Sequence, residues 1–446
     1  MALGASLDDL GIALPRAEAT QTNSHAEPEA VALVPGSPLA RVLYEIWSGR
    51  PIVLVDSPPG AGKTTLVTDA VAHLARRSDI HVVVAAPTRR GAIDLAERLG
   101  SALGNTPDGT PRVALGLSLK PHEEITERVA TELTRQTVVV RTLASARMNA
   151  PRCELLVVDE AYQTVFADVA LAAERADQVL LVGDPGQIGP VEQANTSIWA
   201  GMALAPHLRA PEVFRQTDDA FTTRLPSTFR IGSDAARAIA PLYDFAFDSR
   251  RPDRWVESGG QRLTEIGATQ IPPAGNDGEF DLTVLDQVAA IAAGYVGLCL
   301  YEAVPDGGPS SRPIEATDVA VVVARSGQEA AVRALMRRTG GEMDGITVGT
   351  ADRLQGGQWP VVVALDPLIG ATDADDFRAG PGRLCVMASR HTTHLQWIHD
   401  VRWNDLLDAA AAVDDDRRAD DARKGTTVRR ALCARLSGTP PHTIRA

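Results

Sequence analysis

Short apolar runs alternate with alanine-rich helical stretches along most of this 446-residue chain, and no other feature constrains its fold as strongly. The runs are rich in valine and leucine, and turn residues bound them, which is typical of parallel strands covered by helices on both faces. In the first half, strands are predicted at 51–56, 81–87, 137–142, 154–160 and 178–184, and helices at 64–77 and 91–103. The alternation predicts a doubly wound α/β domain.

The same alternation recurs in the second half of the chain. Strands are predicted at 319–325, 346–350, 361–366, 383–389 and 395–400, with a helix at 328–338. We therefore predict two tandem α/β domains, at 37–217 and 218–405, which meet at a polar stretch.

Three segments lack this pattern. Residues 1–36 show no periodicity, and we interpret them as a flexible N-terminal tail. The glycine- and proline-containing segment 245–280 is interpreted as a disordered insertion or a surface excursion. The C-terminal piece, 406–446, mixes charges of both signs and is expected to be a solvated appendage with a short helix at 426–436.

The composition excludes several classes of protein. The chain carries 44 basic and 57 acidic residues, a net charge of −13, and its 44% hydrophobic content is that of a globular protein. No run approaches the ~18 apolar residues of a membrane helix, and acidic residues near the N-terminus argue against a secretory signal. Four widely separated cysteines argue against a zinc ribbon or an iron–sulfur cluster. We therefore expect a cytoplasmic monomer without membrane contact.

The first predicted strand runs into a glycine-rich turn and then into a helix. This order forms a P-loop, in which backbone N–H groups surround phosphates at a helix N-terminus. Lys63 would reach the β- and γ-phosphates of a nucleotide, and the Thr64 hydroxyl would bind Mg²⁺. The candidate nucleotide contacts of the loop are Ser57, Pro59, Gly60, Ala61, Gly62, Lys63, Thr64 and Thr65. Ser57 stands where the usual pattern has glycine.

Two adjacent acids, Asp159 and Glu160, end the strand predicted at 154–160. Ligands of open α/β sheets bind at the carboxyl ends of the strands. Asp159 is therefore a candidate Mg²⁺ ligand, and Glu160 is a candidate general base for an attacking water. Such a pair can alternatively serve only as negative charge at a helix N-terminus, but the upstream P-loop favours the catalytic interpretation.

The order of the motifs resembles that of superfamily 1 helicases, most closely the branch of the nonsense-mediated-decay helicase and the RecD-like enzymes. Motifs II and III are matched by 159–163 and 182–190, and motifs Ia, Ib, IV, V and VI by 86–92, 139–142, 227–230, 350–358 and 386–391. The resemblance covers most of the chain. It implies two tandem RecA-like domains with the nucleotide cleft between them, and ATP and Mg²⁺ as substrate and cofactor.

Catalytic roles are implied by the same resemblance. Gln187 would sense the γ-phosphate of ATP. Arg230 and Arg390, from the second domain, would act as arginine fingers that stabilise charge in the transition state. For Arg390 the alternative is a surface ion pair.

Other motif residues are expected to bind or transmit. Gln355 and Gly356 would couple the nucleotide state to the nucleic-acid track. Phe229 would either stack on the nucleobase or fill core at the domain junction, and Trp359 offers the same choice between a base and the edge of a core.

The resemblance also implies contacts with a single strand of DNA or RNA, with DNA slightly favoured and 5′-to-3′ movement. The candidate contacts are Pro87, Thr88 and Arg89 in motif Ia, Thr142 in motif Ib, and Gln328 near the start of the second domain. Hydroxyl, backbone and guanidinium groups at such positions contact phosphates. Arg89 has a second interpretation as a solvated loop charge.

The sequence departs from the family at several points. Residues 34–45 contain no glutamine, so no adenine-reading amide is predicted there. Arg89 stands where motif Ia has asparagine, and Gln358 where motif V has glutamate.

Two functions follow as hypotheses. The first is an ATP-driven translocase or helicase on single-stranded nucleic acid, which the complete catalytic set favours. The second is a nucleotide-dependent switch that acts through a protein partner, with 1–36 and 404–446 as docking segments. The acidic net charge and the altered track residues favour the second hypothesis.

Overall fold

The structure, a computed structural model, describes residues 32–77, 80–131, 138–190, 196–199, 201–271, 280–303, 308–339, 345–412 and 416–434. Most of the predicted tail, at 1–31, therefore lies outside the described residues, as do 272–279 and 435–446. None of the helices in the described ranges is long and apolar enough to cross a membrane.

The first half of the chain folds around an eight-stranded parallel sheet. Its strands are β1 (Ile52–Asp56), β2 (Val82–Ala86), β3 (Val113–Leu115), β4 (Val129–Ala130), β5 (Val138–Thr142), β6 (Cys153–Val158), β7 (Ala176–Gly183) and β8 (Ala220–Arg224). Their order across the sheet is β4-β3-β5-β2-β6-β7-β1-β8. The five strands predicted for this half are confirmed, with ends that differ by one or two residues.

Helices cover both faces of this first sheet. They are α1 (Pro38–Trp47), α2 (Lys63–Arg77), α3 (Arg89–Leu103), α4 (Leu143–Asn149), α5 (Phe166–Ala173) and α6 (Ala210–Phe214). Along β2, Val82 and Val84 pack in the cluster that includes α1, α2 and α3, whereas Val83 and Ala85 pack in the cluster that includes α4 and α5. Burial on both faces explains why the strands are apolar throughout.

The second half contains a five-stranded parallel sheet with two small sheets beside it. The strands are β9 (Ser227–Thr228), β10 (Asp248–Ser249), β11 (Arg254–Ser258), β12 (Gln261–Arg262), β13 (Ile266–Ile271), β14 (Cys299–Glu302), β15 (Ser310–Pro313), β16 (Val319–Val323), β17 (Thr347–Thr350), β18 (Trp359–Leu365) and β19 (His391–Asp400). The second parallel sheet has the order β13-β19-β18-β16-β17, and β12-β11-β14-β15 form an antiparallel sheet.

Helices also cover both faces of the second parallel sheet, which confirms the predicted α/β class. They are α7 (Ser233–Ile239), α8 (Leu282–Ala293), α9 (Ser326–Thr339), α10 (Asp376–Ala379), α11 (Pro381–Ala388), α12 (Trp403–Ala411) and α13 (Asp416–Cys433). One core cluster includes α8 and α9, and the cluster on the opposite face includes α7, α11 and α13.

The strand predicted at 383–389 is wrong, because residues 383–388 belong to helix α11 and Ser389 is its C-cap. Every residue from Leu384 to Ala388 is buried. A helix that is apolar on all sides shows no helical periodicity, so its sequence resembles that of a buried strand.

The interpretation of 245–280 as loop-rich is also wrong in part. The segment contains β13, which pairs in parallel with β19 at the edge of the second sheet, and β11, which pairs with β14. The sequence of β13 lacks a continuous apolar run because an edge strand is only partly buried.

The boundary predicted at 217 falls inside the first unit. Strand β8 pairs with β1 from Ile52–Ala220 to Asp56–Arg224, so the first sheet extends beyond that position. The polar residues before β8 form a loop on the way to the last strand of the same sheet.

The C-terminal segment is part of the second core, rather than the solvated appendage that its charges suggested. Val428 and Leu432 on α13 are fully buried. Arg429 is also fully buried and donates two hydrogen bonds to the buried carboxylate of Asp366, at 2.8 and 3.1 Å. Its charge therefore belongs to an internal ion pair.

We expect Arg429→Ala to lower the free energy of unfolding by about 3–5 kcal/mol, because it leaves the Asp366 carboxylate buried without its cation. Lys424→Ala on the same helix breaks an exposed ion pair with Asp420. It should change the free energy of unfolding by less than about 1 kcal/mol. Thermal and urea unfolding of both variants measure the difference. Equal effects would show that α13 is not packed in the core.

Candidate functional site between the two sheets

The P-loop connects β1 to α2 at the carboxyl edge of the first sheet. Gly60 and Gly62 have φ angles of +71° and +86°, a region that glycine adopts without strain. Ser57 has no positive φ; its N–H and hydroxyl groups donate to the Gly183 carbonyl at 3.0 and 3.2 Å. The serine therefore fits the first loop position without an unusual backbone, and it ties the loop to β7.

The loop packs directly against the segment that carries motif IV. The Thr228 hydroxyl donates to the Pro59 carbonyl at 2.7 Å, and the Phe229 N–H donates to the Gly60 carbonyl at 3.0 Å. A Cβ atom at Gly60 would lie 2.3 Å from the Cβ of Arg230, so this close approach requires glycine. Of the remaining loop positions, Ala61 is buried and Thr65 is exposed.

Lys63, at the start of α2, is a buried cation among carboxylates. Its Nζ lies 3.9 Å from Glu160 Oε1 and 4.0 Å from Asp184 Oδ2. The Thr64 hydroxyl donates to Asp159 Oδ2 at 3.1 Å. Hydroxyl and carboxylate oxygens placed side by side are ligands of the kind that Mg²⁺ prefers, so the predicted pair fits that ion.

The acids outnumber the lysine, and burial makes their charge unfavourable. Burial and repulsion from Glu160 raise the pKa of Asp159 to about 6, while Lys63 opposes the rise. Burial likewise raises the pKa of Asp184. A bound divalent cation would favour the ionised form of these carboxylates.

Glu160 has a strained backbone. Its φ of 53° makes it the single non-glycine residue with positive φ in the described ranges. Such a conformation costs on the order of 1–3 kcal/mol in a non-glycine residue and occurs most often where function requires it. The strain is consistent with a side chain that must reach the Lys63 ammonium from the end of β6.

Gln187 connects the acids of the first unit to motif V of the second unit. Its Nε2 donates to Asp184 Oδ2 at 2.7 Å, and its Oε1 accepts from Gln355 Nε2 at 3.1 Å. Gly356, the next residue, has a φ of +88°. The predicted γ-phosphate sensor thus contacts the predicted coupling residue directly.

Arg390 is 1% exposed, so the alternative of a surface ion pair is wrong. It donates to the carbonyls of Val386 and Gly357, at 3.2 and 3.4 Å, and to the Ser389 hydroxyl at 3.2 Å. The described ion pairs include no carboxylate bound to this guanidinium. A buried guanidinium held by neutral acceptors keeps its charge for an anionic ligand.

Arg230 lies close to the same acids. Burial and the nearby charge of Arg390 lower its pKa to about 9, while the charges of Glu160 and Asp184 oppose the shift. Its Nε donates to Gln358 Oε1 at 3.2 Å, so the glutamine at this position holds the arginine through its amide oxygen. Both arginines predicted as fingers therefore lie near the Lys63 cluster.

Two aromatic residues next to these motifs have different surroundings. Phe229 is 54% exposed beside the P-loop, so the alternative that it fills core is wrong. Trp359 packs against the core cluster of the second sheet, and a Cβ at Gly357 would lie 2.3 Å from its ring, so it is an edge-of-core residue. Stacking of Phe229 on a nucleobase stays a prediction.

The structure adds residues that the sequence did not single out. The Tyr243 hydroxyl, from the second half, donates to Asp184 Oδ1 at 2.9 Å. A Cβ at Gly186 would lie 2.4 Å from that hydroxyl, and a Cβ at Gly382 would lie 2.7 Å from the Gln187 carbonyl. The glycines of motif III and α11 are the sequence feature that could have indicated these contacts, since each allows the two units to approach closely.

A second set of side chains surrounds Asp56, at the end of the strand that leads into the P-loop. Asp56, the last residue of β1, is buried; it accepts hydrogen bonds from Tyr162 at 2.8 Å and from Arg215 at 2.8 and 2.9 Å. Burial raises its pKa, although Arg215 opposes the rise. Arg215 belongs to the polar stretch that the sequence analysis interpreted as a domain junction. Its polarity was therefore attributed to exposure and not to a hydrogen bond with Asp56.

The predicted nucleic-acid residues fall into two groups. Pro87 and Thr88 follow β2, and Thr142 ends the adjacent strand β5, so these three lie on one edge of the first sheet. The two threonine hydroxyls accept from Gly91 N and Ser145 N, at 3.1 and 3.3 Å, as helix N-caps. Each hydroxyl can still donate its proton to a phosphate.

The other two predicted contacts are engaged within the protein. Arg89 is partly exposed; it donates to Glu123 Oε2 at 2.6 Å and to the Ser118 carbonyl at 2.8 Å, so its guanidinium is paired within the protein and not available to a phosphate as it stands. Gln328 is 2% exposed and accepts from the N–H groups of Ala324 and Arg325, both at 3.1 Å. Its side chain shapes the turn before α9 instead of facing a strand.

Comparisons with known proteins bear on the first unit most directly. A family model described as an AAA domain matches residues 40–244. A putative helicase mov-10-B.1 from Danio rerio is 25% identical over 199 residues, which cover 38% of this chain and 20% of that protein. The chain thus spans about a fifth of the length of this curated relative.

Solved structures of viral helicases also match. The PRRSV helicase has a TM-score of 0.43 and 16% identity, over 80% of this chain and 54% of that chain. A complex of Arterivirus nonstructural protein 10 (helicase) with DNA has a TM-score of 0.42 and 15% identity, over 81% and 63%. The family model and the curated relative confirm the resemblance to superfamily 1 helicases that the motifs predicted.

The backbone of Glu160 generates a prediction about stability. The free energy of unfolding of Glu160→Gly should be about 1 kcal/mol higher than that of Glu160→Ala, because glycine adopts positive φ without steric cost. Both variants remove the same carboxylate, so each is the other's control. Urea denaturation measures the difference, and a less stable glycine variant would show that the backbone is not left-handed there.

The raised pKa of Asp159 generates a second prediction, for protein without nucleotide and Mg²⁺. Because its pKa in the folded chain, about 6, exceeds the ordinary 3.8, its neutral form stabilises the fold at low pH, and this contribution is lost as pH rises through 6. Asp159→Asn should therefore gain thermal stability over the parent between about pH 5 and about pH 7.5. Asp94→Asn, at an exposed carboxylate on α3, is the control. A constant difference between the Asp159 variant and the parent over this range would contradict the shift.

Proposed function

We propose that this chain hydrolyses ATP in the cleft between its two parallel sheets and uses the energy to move along a single strand of nucleic acid. One observation carries the proposal: Arg230 from the second half packs against the P-loop at Gly60, and the charges of Glu160 and Asp184 act on both Arg230 and Arg390. A triphosphate bound at the P-loop would thus contact both units. Its hydrolysis would remove one of the groups that hold them together.

In this proposal the P-loop N–H groups and Lys63 bind the phosphates of ATP. Glu160 orients a water molecule against the γ-phosphate and accepts its proton. The guanidiniums of Arg230 and Arg390 stabilise the negative charge that develops on the transferred phosphoryl group. Each role falls to a side chain that lies in or beside the Lys63 cluster.

Thr64 and Asp159 would hold Mg²⁺, which neutralises charge on the phosphate oxygens when it is bound. The hydrogen bond between their side chains already brings the two oxygens to 3.1 Å.

Coupling to movement is proposed through the contact between Gln187 and Gln355. This hydrogen bond joins the acid cluster to motif V across the cleft. A change at the γ-phosphate would alter the Gln187 contacts and therefore the distance between the two units. A strand gripped by both units would then be advanced, with Thr88 and Thr142 as phosphate contacts on the first.

The proposed strand is DNA or RNA, with DNA slightly favoured, and the proposed direction is 5′ to 3′. The motif resemblance supports this choice. A monomer is the proposed working form.

A second candidate function is a nucleotide-dependent switch that acts through a protein partner without unwinding. The pairing of Arg89 with Glu123 and the burial of Gln328 favour it, because both remove predicted strand contacts. The C-terminal docking segment proposed for such a partner is restricted, since Ala422, Val428 and Leu432 of α13 are fully buried.

The two functions are distinguished by ATP hydrolysis with and without single-stranded DNA or RNA. We expect single strands to stimulate hydrolysis at least about tenfold. Lys63→Ala and Glu160→Gln should abolish it, because they remove the phosphate-binding cation and the general base. Lys424→Ala, at an exposed lysine on α13, should leave the rate unchanged.

A rate that is equal with and without either nucleic acid, together with no strand affinity at low salt, would contradict the translocase and support the switch. A wild-type chain without hydrolysis under any of these conditions would overturn both candidates.

A further inference from the structure

Glu265 is a buried carboxylate outside all the motifs, in the loop that enters β13. Its side chain is 7% exposed. Oε1 accepts from the Gly232 N–H and from His391 Nε2, the latter at 3.1 Å. Oε2 accepts from the N–H groups of Asp234 and Ala235, at 2.9 and 3.3 Å. One carboxylate thus satisfies three backbone donors at the start of α7 and one imidazole.

The donors belong to two segments that lie far apart in the sequence. Gly232 follows Arg230 by two residues, and His391 follows Arg390 directly. The Glu265 carboxylate therefore ties together the two chain segments that carry the predicted arginine fingers. A Cβ at Gly232 would lie 2.5 Å from Glu265 Oε2, so the glycine at that position admits the carboxylate.

The protonation states fit this bridge. Burial acts to raise the pKa of Glu265, but the hydrogen bond and charge of His391 and the charge of Arg251 hold it at about 2. Burial lowers the pKa of His391. An ionised carboxylate only accepts hydrogen bonds, so His391 carries a proton on Nε2. Arg251 is a charged neighbour of the carboxylate, and its Nη1 lies 4.0 Å from Glu265 Oε1.

Such a bridge between the two segments would hold Arg230 and Arg390 in place against their mutual repulsion. The charge of Arg390 contributes to the lowered pKa of Arg230, so the two guanidiniums are close enough to interact. Without a phosphate between them, the favourable response is to move apart. Catalysis by preorganised charges requires that they stay where the transition state will need them.

We infer that Glu265 is a positioning residue that sets the spacing of Arg230 and Arg390 through the start of α7 and His391. The inference rests on the proposed hydrolysis and goes beyond it, because Glu265 belongs to none of the resembling motifs. It acts on the fingers and does not touch the nucleotide.

The test is Glu265→Gln, which keeps the shape and one acceptor oxygen but leaves an amide N–H facing a donor. We expect kcat for ATP hydrolysis to fall about 10²-fold with KM for ATP within about twofold, as for a misplaced catalytic group. Affinity for ADP should be unchanged, whereas affinity for the transition-state analogue ADP–aluminium fluoride should fall. An unchanged kcat in a hydrolysing wild-type background would overturn the inference and leave the proposed function intact.

Two further variants test whether Glu265 has only a structural role. Asp366→Asn alters another buried carboxylate of the second unit, which pairs with Arg429. It should lower the melting temperature at least as much as Glu265→Gln while kcat, measured well below melting, stays unchanged. In an Arg390→Ala background, Glu265→Gln should add less than about threefold to the loss, because the spacing between Arg230 and Arg390 that Glu265 sets no longer exists. Equal effects of both carboxylate variants on kcat, or full additivity with Arg390→Ala, would overturn the inference.

Discussion

The packing of the P-loop against residues 228–230 is the contact on which the rest of the site depends. Gly60 lets the Arg230 backbone approach so closely that no side chain fits between them, and Thr228 and Phe229 bond to the loop carbonyls. The strand that ends the first sheet, β8, therefore delivers the chain to the phosphate loop before the second unit begins. Arg230, a predicted arginine finger, is therefore positioned by its contact with the P-loop.

Charge explains why the cleft holds together and why it would respond to a ligand. The first unit contributes more carboxylates than cations, and burial raises the pKa values of Asp159 and Asp184. The second unit contributes two guanidiniums, of which Arg390 is held by neutral acceptors alone among the hydrogen bonds described. A triphosphate with its metal ion would complement both imbalances at once, so binding and closure are expected to favour each other.

The sequence predicted those features that depend on local pattern. The strands of the first sheet were predicted because burial on both faces makes them apolar throughout. Lys63 and Thr64 were predicted from the glycine-rich turn between a strand and a helix, and the acid pair from its position at a strand end. Features that depend on distant partners were not found. The charge of Arg429 predicted an exposed side chain, whereas in the structure Arg429 is buried and paired with Asp366. No residue near Glu265 or Arg215 in the sequence indicates the groups that these side chains bind. Helix α11 was mistaken for a strand because complete burial removes periodicity.

The position of α13 also bears on how the protein is made. Val428 and Leu432 complete a core whose other members begin near Ile231, so roughly half of the chain lies between the first and last residues of that cluster. Domains fold during synthesis once all of their residues have left the ribosome. The strands of the first sheet are complete once residue 224 has left the ribosome, whereas the core of the second sheet is complete only when α13 has followed.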